Sequence, residues 1–280
     1  MTAFGTIDVL SLFQYNLVDN VFSMTVATMG AAALFFFAAR SSVAPKYRPA
    51  LLVSGIVVSI ACYHYFMIRQ SWQGAYEFNK SAGEYATSGK AFNDFYRYAD
   101  WILTVPLLMV ELVTVMALSA AVSRPLLLKL VIAAALMIGL GYPGEVSTDW
   151  TTRLVWGILS SIPFVYILYV LWVELTKSLD TQPQEVRGLI SIARLVILVT
   201  WAFYPIAYAI YGDTLKGAWP GVIGERSAVG VVGIQVGYAI ADITAKAGFG
   251  VLIYLIALGK TKALSAEEKL EQQKLAMAVV

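Results

Sequence analysis

Seven stretches of this chain approach the length of a membrane-crossing helix, and the few charges inside them constrain both its fold and its chemistry. A bilayer helix needs about 20 mostly apolar residues. Residues 22–39, 49–68 and 154–173 carry no charge at all, and 195–211 is slightly shorter and extends into its flanks. Residues 101–123 carry one charge, Glu111, and 228–259 carry two, Asp242 and Lys246. The run 130–144 is short; it reaches span length only from Pro125, whose fixed φ suits a first helical position. Charged residues are 14% of the 280, against about 25% in soluble domains. That excludes a water-soluble domain and a disordered chain. A formal net charge of +2 gives no basic field for nucleic acid. The single cysteine, Cys62, forms no internal disulfide and reads as a small buried hydrophobe. The expectation is an all-α membrane protein of seven helices over residues 1–262, followed by a charged tail, 263–280.

Loop charges set the topology. Arg40, Lys46 and Arg48 fall between runs 1 and 2, Arg124 and Lys129 between 3 and 4, Lys177 and Arg187 between 5 and 6, and Lys260 and Lys262 after 7. These alternate loops lie on one side, the cytoplasmic one, which puts the N-terminus with Asp8 and Asp19 outside and the tail inside. The first run has neither a basic leader nor a small-residue cleavage site, so it reads as a retained helix. The loop 70–93, rich in glycine and aromatics, suits a small hairpin. No internal repeat is visible, which weakens a transporter built from duplicated halves.

Ionisable groups within the hydrocarbon are costly and functional by default. Four lie well inside, Asp100, Glu111, Asp242 and Lys246, with Arg97 one turn outward of Asp100 and His64 near the outer end of the second run. Lys246 and Asp242 share a helix face, because i and i+4 align. A lysine there needs a counterion, or has its amine consumed in a Schiff base. Arg97 and Lys246 balance Asp100 and Asp242, and that count leaves Glu111 without a charged partner and neutral. Asp100 and Glu111 are about 16 Å apart along a helix and about 20° apart around it, one toward each side of the membrane. Acceptor and donor flanking an amine is the layout of a proton relay. Thr104, at i+4 from Asp100, can hydrogen-bond its carboxylate. Competing readings stand beside this one. The charges could form a static cluster that orients helices, Glu111 could snorkel to the interface, and His64 could be a satisfied interior histidine. Trp101, Trp201 and Tyr204 taken singly read as packing, and Pro106 and Pro205 as kinks in the third and sixth helices.

Three strings carry a resemblance: RYADWILTVPLLMVE (97–111), WAFYP (201–205) and ADITAKAGFG (241–250). Together they resemble the signature segments of microbial (type 1) rhodopsins, and the likeness covers all seven runs in order. It implies all-trans-retinal bound covalently to Lys246 as a Schiff base. Asp100 matches the primary counterion and proton acceptor, Asp242 the second counterion, Arg97 the outward arginine that gates release, and Tyr65 the tyrosine that holds Asp242. Trp101, Trp201 and Tyr204 match the pocket walls, with Met137, Gly141 and Ser160 beside the ring. The triplet Asp100, Thr104 and Glu111 resembles that of outward proton pumps of the proteorhodopsin and xanthorhodopsin branch, with Glu111 as donor. His64 beside Tyr65 matches the branch's histidine, which bonds the acceptor aspartate.

Leu108 occupies the colour-tuning position and implies green absorption. Gly157 stands where archaeal pumps place a tryptophan, which implies an opening in the pocket wall that could seat a carotenoid antenna; a close-packing glycine is the alternative. The paired release glutamates of the archaeal pumps are missing, with Asp213 and Glu225 poorly placed to replace them. The resemblance further implies a transporter rather than an enzyme, in a bacterial cell membrane. Its partners are protons and lipid, with no metal, and its assembly is a homo-oligomer, pentamer or trimer. A photosensor and a retinal-free transporter remain the other function classes.

Overall fold

The structure, a computed structural model, describes residues 7–147, 149–211 and 227–264, with residues 268 and 271 beyond. Most of the tail 263–280, and with it Asp213 and Glu225 of the preceding loop, lies outside the described residues. Among the described residues seven helices are long and apolar enough to cross a membrane. They are α1 (Leu12–Ala39), α2 (Arg48–Ala75), α3 (Phe95–Met116), α4 (Ala120–Glu145), α5 (Trp150–Leu179), α6 (Gln184–Tyr211) and a seventh span in three pieces. That span runs through α7 (Ala228–Asp242), a π-helical stretch (Ile243–Gly248) and α8 (Phe249–Lys262).

Capping chemistry places several ends away from the apolar runs. The α1 helix begins ten residues before residue 22 because Ser11 and Gln14 form a capping box: Gln14 N–H donates to Ser11 Oγ at 3.2 Å, and Ser11 N–H to Gln14 Oε1 at 2.9 Å. Each satisfies a helix-end donor of the other. The α3 helix stops at Met116 rather than 123, because Ala117 takes a left-handed conformation, φ 50°. The next helix then starts at Ala120, where the Ser119 carbonyl accepts from the N–H groups of Val122 and Ser123. Pro125 therefore lies inside α4 and is not its first residue. The turn at Ala117–Ser119, and not the proline, sets where the helix begins. Pro106 and Pro205 lie inside α3 and α6, which continue past them.

The expected hairpin is present as β2 (Tyr76–Asn79) and β3 (Glu84–Thr87). Gly83 at φ 71° supplies the turn conformation that a side chain disfavours. The sheet has a third strand that no sequence signal marks, β1 (Val9–Ser11), paired antiparallel to β3 in the order β1-β3-β2. Tyr15 of α1 stacks on Tyr85 at 3.6 Å, and Trp72 packs against Tyr76 and Phe92. This sheet end of the bundle is thus closed by aromatics.

The basic residues between α1 and α2, along the start of α4, at the end of α5 and start of α6, and in the last turn of α8 gather at the opposite end. Lys260 is an exception to the expected solvated loop. It is buried, lies over the Tyr47 ring, and donates to the carbonyls of Val115 and Met116 at 3.0 and 2.9 Å. Those are among the α3 carbonyls that its own helix leaves unsatisfied. Replacing Lys260 by Met keeps the apolar stem and removes both bonds. The expected loss is about 1–3 kcal/mol, read as a lower thermal midpoint in detergent; an unchanged midpoint would deny the cap.

Candidate functional site

Lys246 sits in the π-helical stretch of the seventh span, 2% exposed. A π turn adds a residue to the helix and is frequent at functional sites. Its Nζ lies 2.5 Å from Asp100 Oδ2 on α3 and 3.0 Å from Asp242 Oδ1 one turn earlier on its own helix. Both carboxylates are as buried as the amine. Asp242 is held further by two phenols, accepting from Tyr65 of α2 at 2.7 Å and Tyr204 of α6 at 2.6 Å. The bond from Tyr204 goes beyond the ring wall that its string implies. Thr104 donates chiefly to the Asp100 carbonyl, 2.9 Å, and reaches the Asp100 carboxylate only at 3.5 Å. Asp100 Oδ1 is buried without a partner.

The expected charge balance is corrected at Arg97. Its guanidinium makes no direct ion pair with Asp100 or Asp242 among the described residues; it pairs with Asp94, the residue before α3, and donates to Gln235 of α7. Its carbon lies 4.9 Å from the Tyr238 ring. Lys246 alone therefore faces two carboxylates. The i, i+3 spacing of Asp94 and Arg97 is the available signal for this pair.

Glu111 is fully buried on α3, and no basic group is among its partners. It is not without any partner, however. Ser54 of α2 donates to Glu111 Oε1, and Oε2 is left with none. A serine in the middle of an uncharged run is the hint. His64 is buried with Nδ1 unpartnered, its ring beside those of Tyr63 and Tyr96. No hydrogen bond joins it to Asp100 among the described residues.

A cavity of about 250 Å³ opens beside Lys246. Trp101, Leu108, Met137, Gly141, Gly157, Ser160, Trp201 and Tyr204 all line it, as the resemblance implies. Tyr98, Phe164 and Tyr238 add aromatic wall beyond that set. Trp101 meets Tyr204 edge-on at 5.1 Å. Ser160 Oγ donates to the Met137 carbonyl at 2.6 Å, which ties α5 to α4 beside Gly141. Gly157 lies against Tyr208, and a β-carbon there would sit 2.8 Å from the ring. Tyr208 donates to the Arg153 carbonyl at 2.8 Å, and the Arg153 guanidinium lies 4.6 Å from its ring. The glycine thus admits a fixed ring, and the expected open wall has Tyr208 in it.

Known proteins share this architecture. Residues 16–259 match the family described as bacteriorhodopsin-like protein. The green-light absorbing proteorhodopsin of Gamma-proteobacterium EBAC31A08 is 30% identical over 240 residues, 85% of each chain. The crystal structure of xanthorhodopsin, titled a light-driven ion pump with dual chromophore, superposes with a TM-score of 0.84 at 51% identity, covering 92% of this chain and 98% of that one. Thermophilic rhodopsin superposes with the same score at 48% identity and the same coverage. Seven spans and these relatives make the chain a multi-pass protein of the cell membrane. It belongs to the bacteriorhodopsin-like family, the microbial rhodopsins.

Proposed function

We propose that this chain is a light-driven outward proton pump, green-absorbing, with all-trans-retinal bound covalently to Lys246. The observation that carries the reading is one buried amine held between two buried carboxylates at the wall of an aromatic cavity. The residues fit the group, because the cavity is apolar and ringed by Trp101, Trp201 and Tyr204, and its amine is that of Lys246. Retinal supplies absorption of visible light and a change of shape that re-aims the nitrogen. The sheet end faces outward in this reading, and the basic end faces the cytoplasm.

Asp100 accepts the proton that leaves Nζ, at hydrogen-bond distance. Its unpartnered Oδ1 leaves room for a second donor. Asp242 remains charged, because Tyr65 and Tyr204 each donate to it. Thr104 steadies the backbone and carboxylate of Asp100, and His64 modulates the acceptor from its place on the outer half of α2. Glu111 returns a proton from the cytoplasmic side, positioned by Ser54. Protons are the cargo, lipid surrounds the bundle, and the assembly is a pentamer or trimer.

Cells making the chain with added retinal should acidify an unbuffered suspension under green light, and a protonophore should abolish the change. Asp100→Asn should shift absorption to the red and stop acidification; retained pumping would remove the acceptor assignment.

Glu111→Gln should leave the colour nearly intact and slow recovery by roughly 100-fold, the low end of what a positioned proton donor contributes. Added azide should then restore the rate. Recovery at the normal rate would sink the donor assignment.

Leu108 is the position that assigns green absorption. Gly157 is proposed to seat a carotenoid against Tyr208, as the dual chromophore of the xanthorhodopsin relative suggests. With carotenoid added to the membranes, the action spectrum should gain carotenoid bands. Gly157→Trp should lose them while keeping the retinal band; bands that persist would place the carotenoid elsewhere.

A further inference from the structure

One arginine stands apart from the relay, on the outer seam between α5 and α6. Arg194 lies ten residues after the start of α6 at Gln184, about 15 Å along the helix. It is half-buried, and its surroundings include the exposed side chains of Leu195 on α6 and of Tyr169 and Trp172 on α5. The side chain reaches back toward the basic end. Nη1 donates at 2.6 Å to Thr176 Oγ1, in the last turn of α5, and Nη2 at 3.4 Å to Ser191 Oγ, one turn nearer the start of α6. The guanidinium carbon lies 5.0 Å from the Trp172 ring. A cation drawn toward the polar side over a tryptophan is the arrangement of a side chain at a membrane–water boundary.

What Arg194 lacks is a counter-charge. Both of its acceptors are neutral hydroxyls, and no carboxylate pairs with it among the described residues. Nε is enclosed without a partner, and the two hydroxyls use only two of the five N–H groups a guanidinium carries. Arg187, two turns nearer the basic end on the same stripe of α6, is the contrast. It lies 3.8 Å from Asp180 and donates to the carbonyls of Asp180 and Gln182 at 2.8 and 3.0 Å. Glu185, nine residues before Arg194, falls on the opposite face of α6. A cation at the edge of the hydrocarbon without an opposite charge is costly.

We propose that Arg194, oriented by Thr176 and Ser191 above Trp172, is a binding site for the phosphate of an anionic phospholipid in the leaflet at the basic end. The planar fork of a guanidinium matches phosphate oxygens, and the lipid's negative charge supplies what the protein leaves out. A lipid fits better than a free phosphate because the seam has two characters. Tyr169, Trp172 and Leu195 offer apolar surface to acyl chains. Thr176, Lys177 and Arg187 form a polar rim nearer the helix ends, at the level of the headgroup. A lipid seated there would brace α6 against α5.

The test places the retinal-loaded protein in nanodiscs of equal phosphatidylglycerol and phosphatidylcholine and counts the lipids it retains by native mass spectrometry. The wild type should prefer phosphatidylglycerol by roughly five-fold at one site, the factor a single arginine contributes toward an anionic surface. Arg194→Gln should lose that preference. Arg124→Gln, which removes an exposed cation from the start of α4 at the same end, should keep it. An unchanged helical circular dichroism spectrum certifies the fold of each variant. A preference that survives Arg194→Gln, or falls equally in Arg124→Gln, overturns the site. Displacement of the retained lipid by inorganic phosphate alone would assign the site to a free anion and overturn the lipid. An oligomer mass that changes in Arg194→Gln while the lipid preference stays would make the seam an interface between copies instead.

Discussion

A primary amine at 2% exposure within a membrane bundle is the constraint that organises this molecule. Its charge is tolerable only beside opposite charge with further hydrogen bonds. Asp100 and Asp242 provide the charge, and they come from different spans, so the third and seventh helices must meet at one depth. Two carboxylates against one lysine overcompensate. The surplus is spread onto the phenols of Tyr65 and Tyr204, which donate to Asp242 from the second and sixth spans. Four of seven helices are thereby tied to one nitrogen. The π-helical stretch around Lys246 is part of the same solution, since it changes the helical phase between α7, which ends at Asp242, and α8.

The remaining helices complete the chamber beside that nitrogen. Small residues on α4 and α5 decide its shape: Gly141 touches Ser160, and both Gly144 and Gly157 leave room for the ring of Tyr208. Arg153 holds that ring from one side and donates to the carbonyls of Gly144 and Glu145 at 2.9 Å, closing the end of α4. A charge that would be costly in the membrane interior is here bound by backbone carbonyls at the bundle's rim, where the helix dipole favours it. The wall at Gly157 is therefore made by a glycine and an arginine-held tyrosine acting together.

Much of this is legible in the sequence because membrane helices announce themselves by length and by the rarity of their charges. Asp100, Asp242 and Lys246 stand out in apolar surroundings, and i, i+4 spacing joins the last two. Bonds between spans are less legible. Nothing in a single string tells that Ser54 faces Glu111, or that the Tyr204 hydroxyl reaches Asp242, because such pairs depend on how helices rotate about their axes. Arg97 misleads for a related reason. It has a carboxylate one turn away in either direction, and the fold pairs it with Asp94 while Lys246 sits on Asp100. Helix ends depart from the apolar runs where a cap or a left-handed residue, rather than hydrophobicity, fixes the boundary, as at Ser11 and Ala117.

The two sides of the central amine are unlike, and that difference is what a directional relay requires. Toward the sheet end, polar groups succeed one another at short range: Arg97, Gln235, Asp94, Glu145 and Arg153. Toward the other end, Glu111 has Ser54 as its hydrogen-bond donor and lies among Leu112, Val113, Val115 and Met116 on a largely apolar α3. Charge moves readily where neighbouring groups can reorganise around it, and a buried carboxyl in an apolar sleeve holds a proton until water or a moving helix reaches it. The proposed relay would thus have a polar chain on one side of the amine and apolar packing on the other. The asymmetry lies in the ground-state packing of α2, α3 and the seventh span. A light-driven step has only to break the contact between Lys246 and Asp100 for the two sides to be used in sequence.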